Sequence, residues 1–590
     1  MSFRSRLTAL ALVCLAACSS AEPAPTPTPP EPAAGAVLNA LYREDKDAPG
    51  VLMDFAFGAH GEVLAMGPPG SVADRINRDT TVIDAQGRPA EDCAVSGHEH
   101  EDLPFLPQML VSPVPGQVAP WQDFDELLTA VRARAAEVLA AEKAAQDAGQ
   151  PVPARLPIVG LTLFTIHPGI NASGVNVADA LEEAAPGFFV YLFDVDGHGA
   201  LHNWTAATLV GFNPNSPDPE GGRFGRDAAG RLDGHAHEQG AQVPFFRFVA
   251  AFIPFEVKVA QLNAFTSAAF ASGYCRTVDI NFVDPVRVAE QVRASTAEPQ
   301  VIVSACLPTG PGELADCQPN ADGITILKRF IDGAFADGFA NTDEDGNQDP
   351  ALAYLNPETL PVHTLPWWGN YNLTDAQLDR DLAWVLADKQ HRRLVLHAAG
   401  RGAIGQVMRR MVAVGGSLEA FRDVVTFEHV DLISPDQVAA LGAAGMAVVL
   451  NTPHFDLYPV IQLRYPEAIV AESQPLASLY RAGLTVGYGG DRFLAPESPF
   501  AQAGRAATHR SPAERIDFAT YWRSQTQTTA ELRAMKGVGA LKVGARANLL
   551  ILNQDPYAVA PEQIGATRPL VTVSDGRVVY SDGTLVAPTP

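Results

Sequence analysis

The sequence predicts an α/β fold: a parallel (β/α)8-type barrel carrying a small β domain built from both chain ends. Three observations predict it. Short apolar, strand-like runs alternate with helical patterns through the middle of the chain, as βα units do. Several of these runs end in a polar residue able to do chemistry, and in a parallel barrel the C-terminal strand ends converge on one mouth. β-type runs separated by turns bracket that middle: VLMDFAFGAHGEVLAMGPPG near the start, NLLIL and PLVTVSDGRVVY near the end.

The first twenty residues, MSFRSRLTALALVCLAACSS, precede the fold. Arg4 and Arg6 make a positive start, and Leu7 to Ala17 form an apolar core too short to span a bilayer. Leu15-Ala16-Ala17-Cys18 is similar to a bacterial lipobox, in which Cys18 becomes the lipid-modified first residue of the mature chain. This reading expects an export signal over residues 1–18, a lipid anchor at Cys18 into a membrane, and a place in the bacterial cell envelope. Residues 19–35 are too rich in proline to pack a core and read as a semi-extended tether. Residues 36–92 and 537–590 are then the two parts of the small β domain, with the barrel over 93–536.

A chain of 590 residues, 47% hydrophobic, has ample material for a large core. Its net charge of -25 argues against nucleic acid as a partner and fits a solvated, secreted or periplasmic surface. Helices are expected from Phe124 to Ala148 and from Thr374 to Lys389, the second with Thr374 as N-cap. No phosphate-binding loop, nucleophile elbow or dinucleotide motif occurs.

The chemistry starts at Cys93-Ala94-Val95-Ser96-Gly97-His98-Glu99-His100. If the run is a strand, period-2 alternation puts His98 and His100 on one face, where two imidazoles can reach one divalent cation. Four more runs end in potential ligands: Lys328 with Phe330 and Asp332, LVLHAAG with His397, FEHVDL with His429, and LTVGYGG with Asp491.

This ordered set resembles the amidohydrolase superfamily, and within it the branch that includes N-substituted formamide deformylases. The Asp196-Gly197-His198 segment and the PEGGRFGRDAAGRLDG stretch after it carry the resemblance to that branch, which runs from about residue 36 to the C-terminus. It implies a distorted (β/α)8 TIM barrel with a small β-sandwich domain formed from both chain ends. It also implies one or two divalent metals, zinc by default, with His98, His100 and Asp491 on one and His397 and His429 on a second. Lys328 bridges them if its amine is carboxylated by CO2. The implied reaction is hydrolysis of an amide-like C–N bond, such as that of an N-formyl or N-acyl amine, by a metal-activated water. Asp491 is the general base and then acid. His198 and His454 are the implied contacts to a small-molecule substrate.

Departures from the family pattern lie at Asp92 to Gly97 and at Gly400-Arg401, where the branch carries an aspartate. Two other readings stay open: a barrel that binds a ligand without turnover, and a metallohydrolase acting on an ester or cyclic imide. Among weaker signals, Asn341-x-Asp343-x-Asp345-Gly346 reads as an acidic surface turn, because Leu352 cannot complete a calcium loop. Trp367-Trp368 reads as a packing pair. His235-x-His237 repeats the ligand spacing but is not assigned a metal, and Cys306 and Cys317 are candidates for a disulfide.

Overall fold

The computed structural model describes residues 31–586 apart from 102–104, 116, most of 281–322, 357–365 and 493–494. The leader with Cys18 therefore lies outside the described residues. Among the described residues no helix is long and apolar enough to cross a membrane.

Eight parallel strands form the TIM-barrel-like core. Ala94–Glu99 pairs with Tyr274–Asp279. Ala305–Cys306, Thr325–Phe330, Arg392–Gly400, Val425–Leu432, Ala447–Leu450 and Thr485–Tyr488 follow one another in a six-stranded sheet. Most of their residues are buried, which is why they read as near-continuous apolar runs. Helices carry the crossovers, as Asp375–Leu386 does after Thr325–Phe330. That helix has the N-cap expected at Thr374, completed into a capping box by Gln377.

Among the described residues no backbone ladder joins the last strand to the first. Side chains from the segment that follows close this seam instead. The Tyr488 N–H donates to Thr529 Oγ1 at 3.0 Å, and Gln525 Nε2 donates to the Val95 carbonyl at 2.6 Å. Arg533 Nε donates to the Gly97 carbonyl at 2.9 Å. The edge groups of two facing strands are thereby satisfied without a ladder.

Between Ala94–Glu99 and its partner Tyr274–Asp279 the chain inserts a mixed seven-stranded sheet. Its order is Arg223–Arg226, Leu232–His237, Gly199–His202, Val190–Asp194, Ile158–Thr162 and Leu110–Val111, with Pro120–Trp121 also on Ile158–Thr162. Phe124–Asp147, the first expected helix, packs on it through Leu127, Val131 and Ala135. This sheet was not anticipated. Its strands are two to six residues long and antiparallel in part, so they do not repeat the barrel's pattern.

The two chain ends meet, as expected, but the described strands form one eight-stranded sheet and no sandwich was found among them. Pro89–Asp92 from the first part pairs with Leu549–Leu552 from the second. Val37, Phe55, Ile83, Ile551 and Val571 share its buried core.

A cysteine pairing that the sequence left open is now seen, and one local expectation changes in part. A disulfide links Cys93 to Cys275, with Cα atoms 5.7 Å apart and a sequence separation of 182. Cys317 is disulfide-bonded as well, while the side chain of Cys306 lies outside the described residues. Asp345, Gly346 and Asp349 lie on an exposed acidic turn as expected, but Asn341 and Asp343 at its start are buried. The Asn341 N–H donates to Asp332 at 2.8 Å, and its backbone closes on Gly400, where a Cβ would collide with it. That contact accounts for glycine at position 400.

The Cys93–Cys275 bond ties together the two strands between which the seven-stranded sheet is inserted. Replacing both cysteines by alanine is expected to cost about 2–5 kcal/mol of unfolding free energy. Denaturant titration of the oxidised protein checks this, with overall secondary structure retained in the far-UV circular dichroism spectrum.

Candidate metal centre

Parallel register carries the expected residues to one mouth. Lys328 lies opposite Val395, Phe330 opposite His397, and Ala398 opposite His429. The ladder slips between Ala398 and Gly400, and His429 and Val430 take φ of 74° and 47°. Left-handed backbone at two non-glycine residues is strain of the kind that re-aims a side chain at a site. Asp491, at φ 52°, follows Gly489 and Gly490. A Cβ on Gly489 would lie 2.5 Å from that of His98, so only glycine lets this loop reach the first strand.

The structure gathers the expected ligands. One ligand atom each of His98, His429 and Asp491 lie within 4.8 Å of one another. His100 Nε2 is 2.9 Å and His98 Nε2 3.5 Å from Asp491 Oδ1, and His429 Nδ1 is 3.6 Å from Oδ2. The His397 ring is centred 4.5 Å from that of His429. Neither of its ring nitrogens, nor the Lys328 amine, has a hydrogen-bond partner among the described residues. Both expected substrate contacts adjoin this group: the His198 ring lies 4.8 Å from that of His397, and His454 Nε2 is 3.2 Å from Asp491.

Electrostatics favour ligand forms of these groups. Burial, helped by the nearby Lys328, pushes His98 down to about 4, and burial also holds His397 and His429 well below the usual imidazole value. Neutral imidazoles with free lone pairs result. Burial raises Asp491, but the surrounding histidines, His98 foremost, outweigh it and hold the carboxylate well below its usual range. Burial lowers Lys328 to about 8. The donor set of imidazoles and a carboxylate, with buried orphan atoms on His397 and Lys328, fits a divalent transition metal.

Several positioning groups carry no local sequence signal. His98 Nδ1–H donates to Glu428 at 2.7 Å, and Glu428 in turn accepts from Arg533 at 2.9 and 3.0 Å. Arg533 and His98 hold Glu428 down at about 2 against its complete burial. His100 Nδ1–H donates to the Ile280 carbonyl at 3.0 Å, and His429 Nδ1–H to Asn451 at 2.7 Å. Asp332 accepts three backbone N–H groups, from Asn341, Ala399 and Gly400, and so shapes the strand end beyond His397. Glu99 accepts from the backbone of Gly490 and Arg492 and pins the loop that presents Asp491. Ser96, within the departure before His98, donates to Glu99 at 2.8 Å. Glu238 accepts from His198 at 3.0 Å. Glu428 beside His429 and Asp332 after Lys328 were visible in the sequence, as polar residues within or at the end of apolar runs.

The amidohydrolase family model matches residues 114–580. The chain belongs to the amidohydrolase family. It is a metal-binding hydrolase acting on carbon–nitrogen bonds other than peptide bonds. An N-substituted formamide deformylase of Arthrobacter pascens is 22% identical over 555 residues, covering 88% of this chain and 93% of that protein. In fold, the chain is similar to an uncharacterized metal-dependent hydrolase from Pyrococcus furiosus, with a TM-score of 0.61 at 15% identity. That match covers 89% of this chain and 99% of the other, and one from Pyrococcus horikoshii OT3 gives the same values.

Removing the carboxylate behind His98 is expected to loosen the metal. Glu428→Gln should weaken metal affinity by about 10- to 100-fold, the usual cost of losing a partner behind a ligating imidazole. Competition with a metal-sensitive chelator measures it. Arg533→Met leaves Glu428 as a buried unpaired charge and should lower stability by about 3–5 kcal/mol in denaturant titration.

Proposed function

We propose that the barrel mouth hydrolyses the C–N bond of an N-formyl or N-acyl amine, with one or two divalent ions, zinc by default, bound there. The observation that carries this reading is the convergence of His98, His429 and Asp491 within ligand distance, with His100 and His397 beside them. His98, His100 and Asp491 would hold one ion, and His397 and His429 a second. A bound metal supplies an acidified water and polarises the substrate carbonyl.

The remaining work falls to the chain. Asp491 takes the proton from the attacking water and returns it to the leaving amine, base first and acid second. Its low pKa keeps it in the ionised form that the first step needs. Lys328, lowered to about 8 by burial, has a share of neutral amine near pH 7. That form adds CO2 with loss of one proton, giving a carbamate whose two oxygens suit a bridge between ions. His198, set by Glu238, and His454, set by Asp431 at 3.0 Å, are placed to contact the acyl and amine portions of a small substrate. Similarity to the Arthrobacter deformylase supports the choice of N-formyl amines as the first substrates to test. The leader with its Cys18 supports an exported, lipid-anchored protein of the cell envelope.

Hydrolysis of N-formyl and N-acyl amines by the metal-loaded protein is the direct test, and loaded protein inert toward the whole series would refute the reading. Asp491→Asn should keep the fold while turnover falls on the order of 10²- to 10⁴-fold. Near-normal turnover would remove the base assignment. Lys328→Ala should lower bound metal in elemental analysis, and unchanged occupancy would remove the bridge.

A further inference from the structure

A second group of histidines lies in the inserted sheet, apart from the barrel-mouth ligands. His235 and His237 stand two residues apart on the strand Leu232–His237, so they share one face. His167 comes from the turn into the helix His167–Ser173, after the strand Ile158–Thr162. All three are at most 2% exposed. Their rings form a triangle with centroids 5.2, 5.8 and 6.2 Å apart.

Hydrogen bonding around this triangle is lopsided in an informative way. His167 Nε2–H donates to Asp194 at 2.8 Å, and His235 Nδ1–H donates to Asp233 at 3.0 Å. The other nitrogen of each, His167 Nδ1 and His235 Nε2, has no hydrogen-bond partner among the described residues, and neither has either nitrogen of His237. Each buried polar atom left unpaired costs about 1–3 kcal/mol, so four such atoms on three neighbouring rings call for an occupant. A carboxylate on one nitrogen with the opposite one left open is how proteins hold a metal-binding imidazole.

Ring separations are near those an ion between the rings would set, although one ligand atom from each ring does not lie within 4.8 Å of the other two as the rings now stand. Three imidazoles bound tetrahedrally at about 2.0–2.1 Å set ring centroids roughly 5–5.5 Å apart, so closing this shell takes a turn of the rings as well as small shifts. The barrel-mouth pairs His98–His100 and His98–His429 have centroids 5.5 and 4.9 Å apart. His237 rests against Phe339 and is held by no hydrogen bond among the described residues, so either of its nitrogens can turn inward. Charge agrees too. Ligand oxygens of Asp194, Asp196 and Asp337 lie within 4.8 Å of one another beside His167, and both Asp337 oxygens lack a hydrogen-bond partner among the described residues. A dication would offset this concentration of carboxylates, which Arg464 and Arg223 in the same region offset only in part.

We propose that His167, His235 and His237 form a second transition-metal site, of the zinc class, separate from the barrel mouth and oriented by Asp194 and Asp233. Three imidazoles select zinc or copper over magnesium or calcium. The ion would fasten the turn after Ile158–Thr162 to the strand Leu232–His237, two elements on opposite sides of Val190–Asp194 in this sheet. The site stands independently of the reaction proposed for the mouth.

Metal content of the full chain tests it. Protein stripped with a chelator is reloaded with zinc, desalted and analysed for bound metal. A variant with His98, His100, His397 and His429 all replaced by Asn should still hold about one equivalent, and adding His237→Gln should abolish it. No metal in the first variant, or the same metal in both, overturns the proposal. If the His237 variant fails to fold by circular dichroism, His235→Gln takes its place. X-ray absorption of the cobalt-loaded barrel-mouth variant decides separately. A shell of three imidazoles supports the site, and a shell of carboxylates alone, as Asp194, Asp196 and Asp337 would give, overturns it.

Discussion

Arg533 is the group on which the barrel mouth depends. Its guanidinium, 1% exposed, donates to the Gly97 carbonyl, to Thr426 Oγ1 and to both oxygens of Glu428. A buried charge is tolerable only when its donors are matched, and here one cation satisfies a strand edge, a neighbouring strand and the carboxylate behind His98. The same residue thus helps to close the seam between the last and first strands and fixes the tautomer of a ligand. Planar guanidinium geometry suits that double duty, whereas a lysine could reach only one of these positions at a time.

Around this anchor, small residues and strained backbone bring the chemistry together. Gly97 and Gly489 allow the final strand and the Asp491 loop to approach His98, and Gly400 lets Asn341 close over the strand that carries His397. The left-handed turns at His429 and Asp491 aim two side chains at one point. Such conformations cost about 1–3 kcal/mol each and persist where the surroundings over-determine them. Glu99, Asp332 and Asn451 do that here by hydrogen bonds to the loop, the strand end and the ligand itself.

The inserted sheet changes how the mouth is covered. It supplies Glu238 and His198, so one edge of the site belongs to an element that is not part of the parallel barrel. The Cys93–Cys275 bond holds the two barrel strands that flank the insertion. On its own face the sheet buries His167, His235 and His237 with their carboxylates, a polar cluster whose unpaired atoms set it apart from the aromatic core of Phe189, Tyr191 and Phe245 next to it.

Periodicity and residue type were enough to anticipate the barrel-like α/β class, the helix starting after Thr374, the joining of the two chain ends, and six of the residues now seen at one mouth, while His198 and His454 came with the family resemblance. These features are local or repeat along the chain: an apolar run ending in a histidine carries its own address once parallel strands are assumed. Contacts between distant segments were not legible. Arg533 meets Glu428 across 105 residues and Cys93 meets Cys275 across 182, and nothing in the short windows around them marks either pairing. His235 and His237 showed their spacing from the start, but whether they face His167 depends on how the strands Ile158–Thr162, Val190–Asp194 and Leu232–His237 are ordered in one sheet. Side-chain chemistry is written in the linear chain. Distances between side chains come from packing, and packing alone settled which imidazoles share a neighbour.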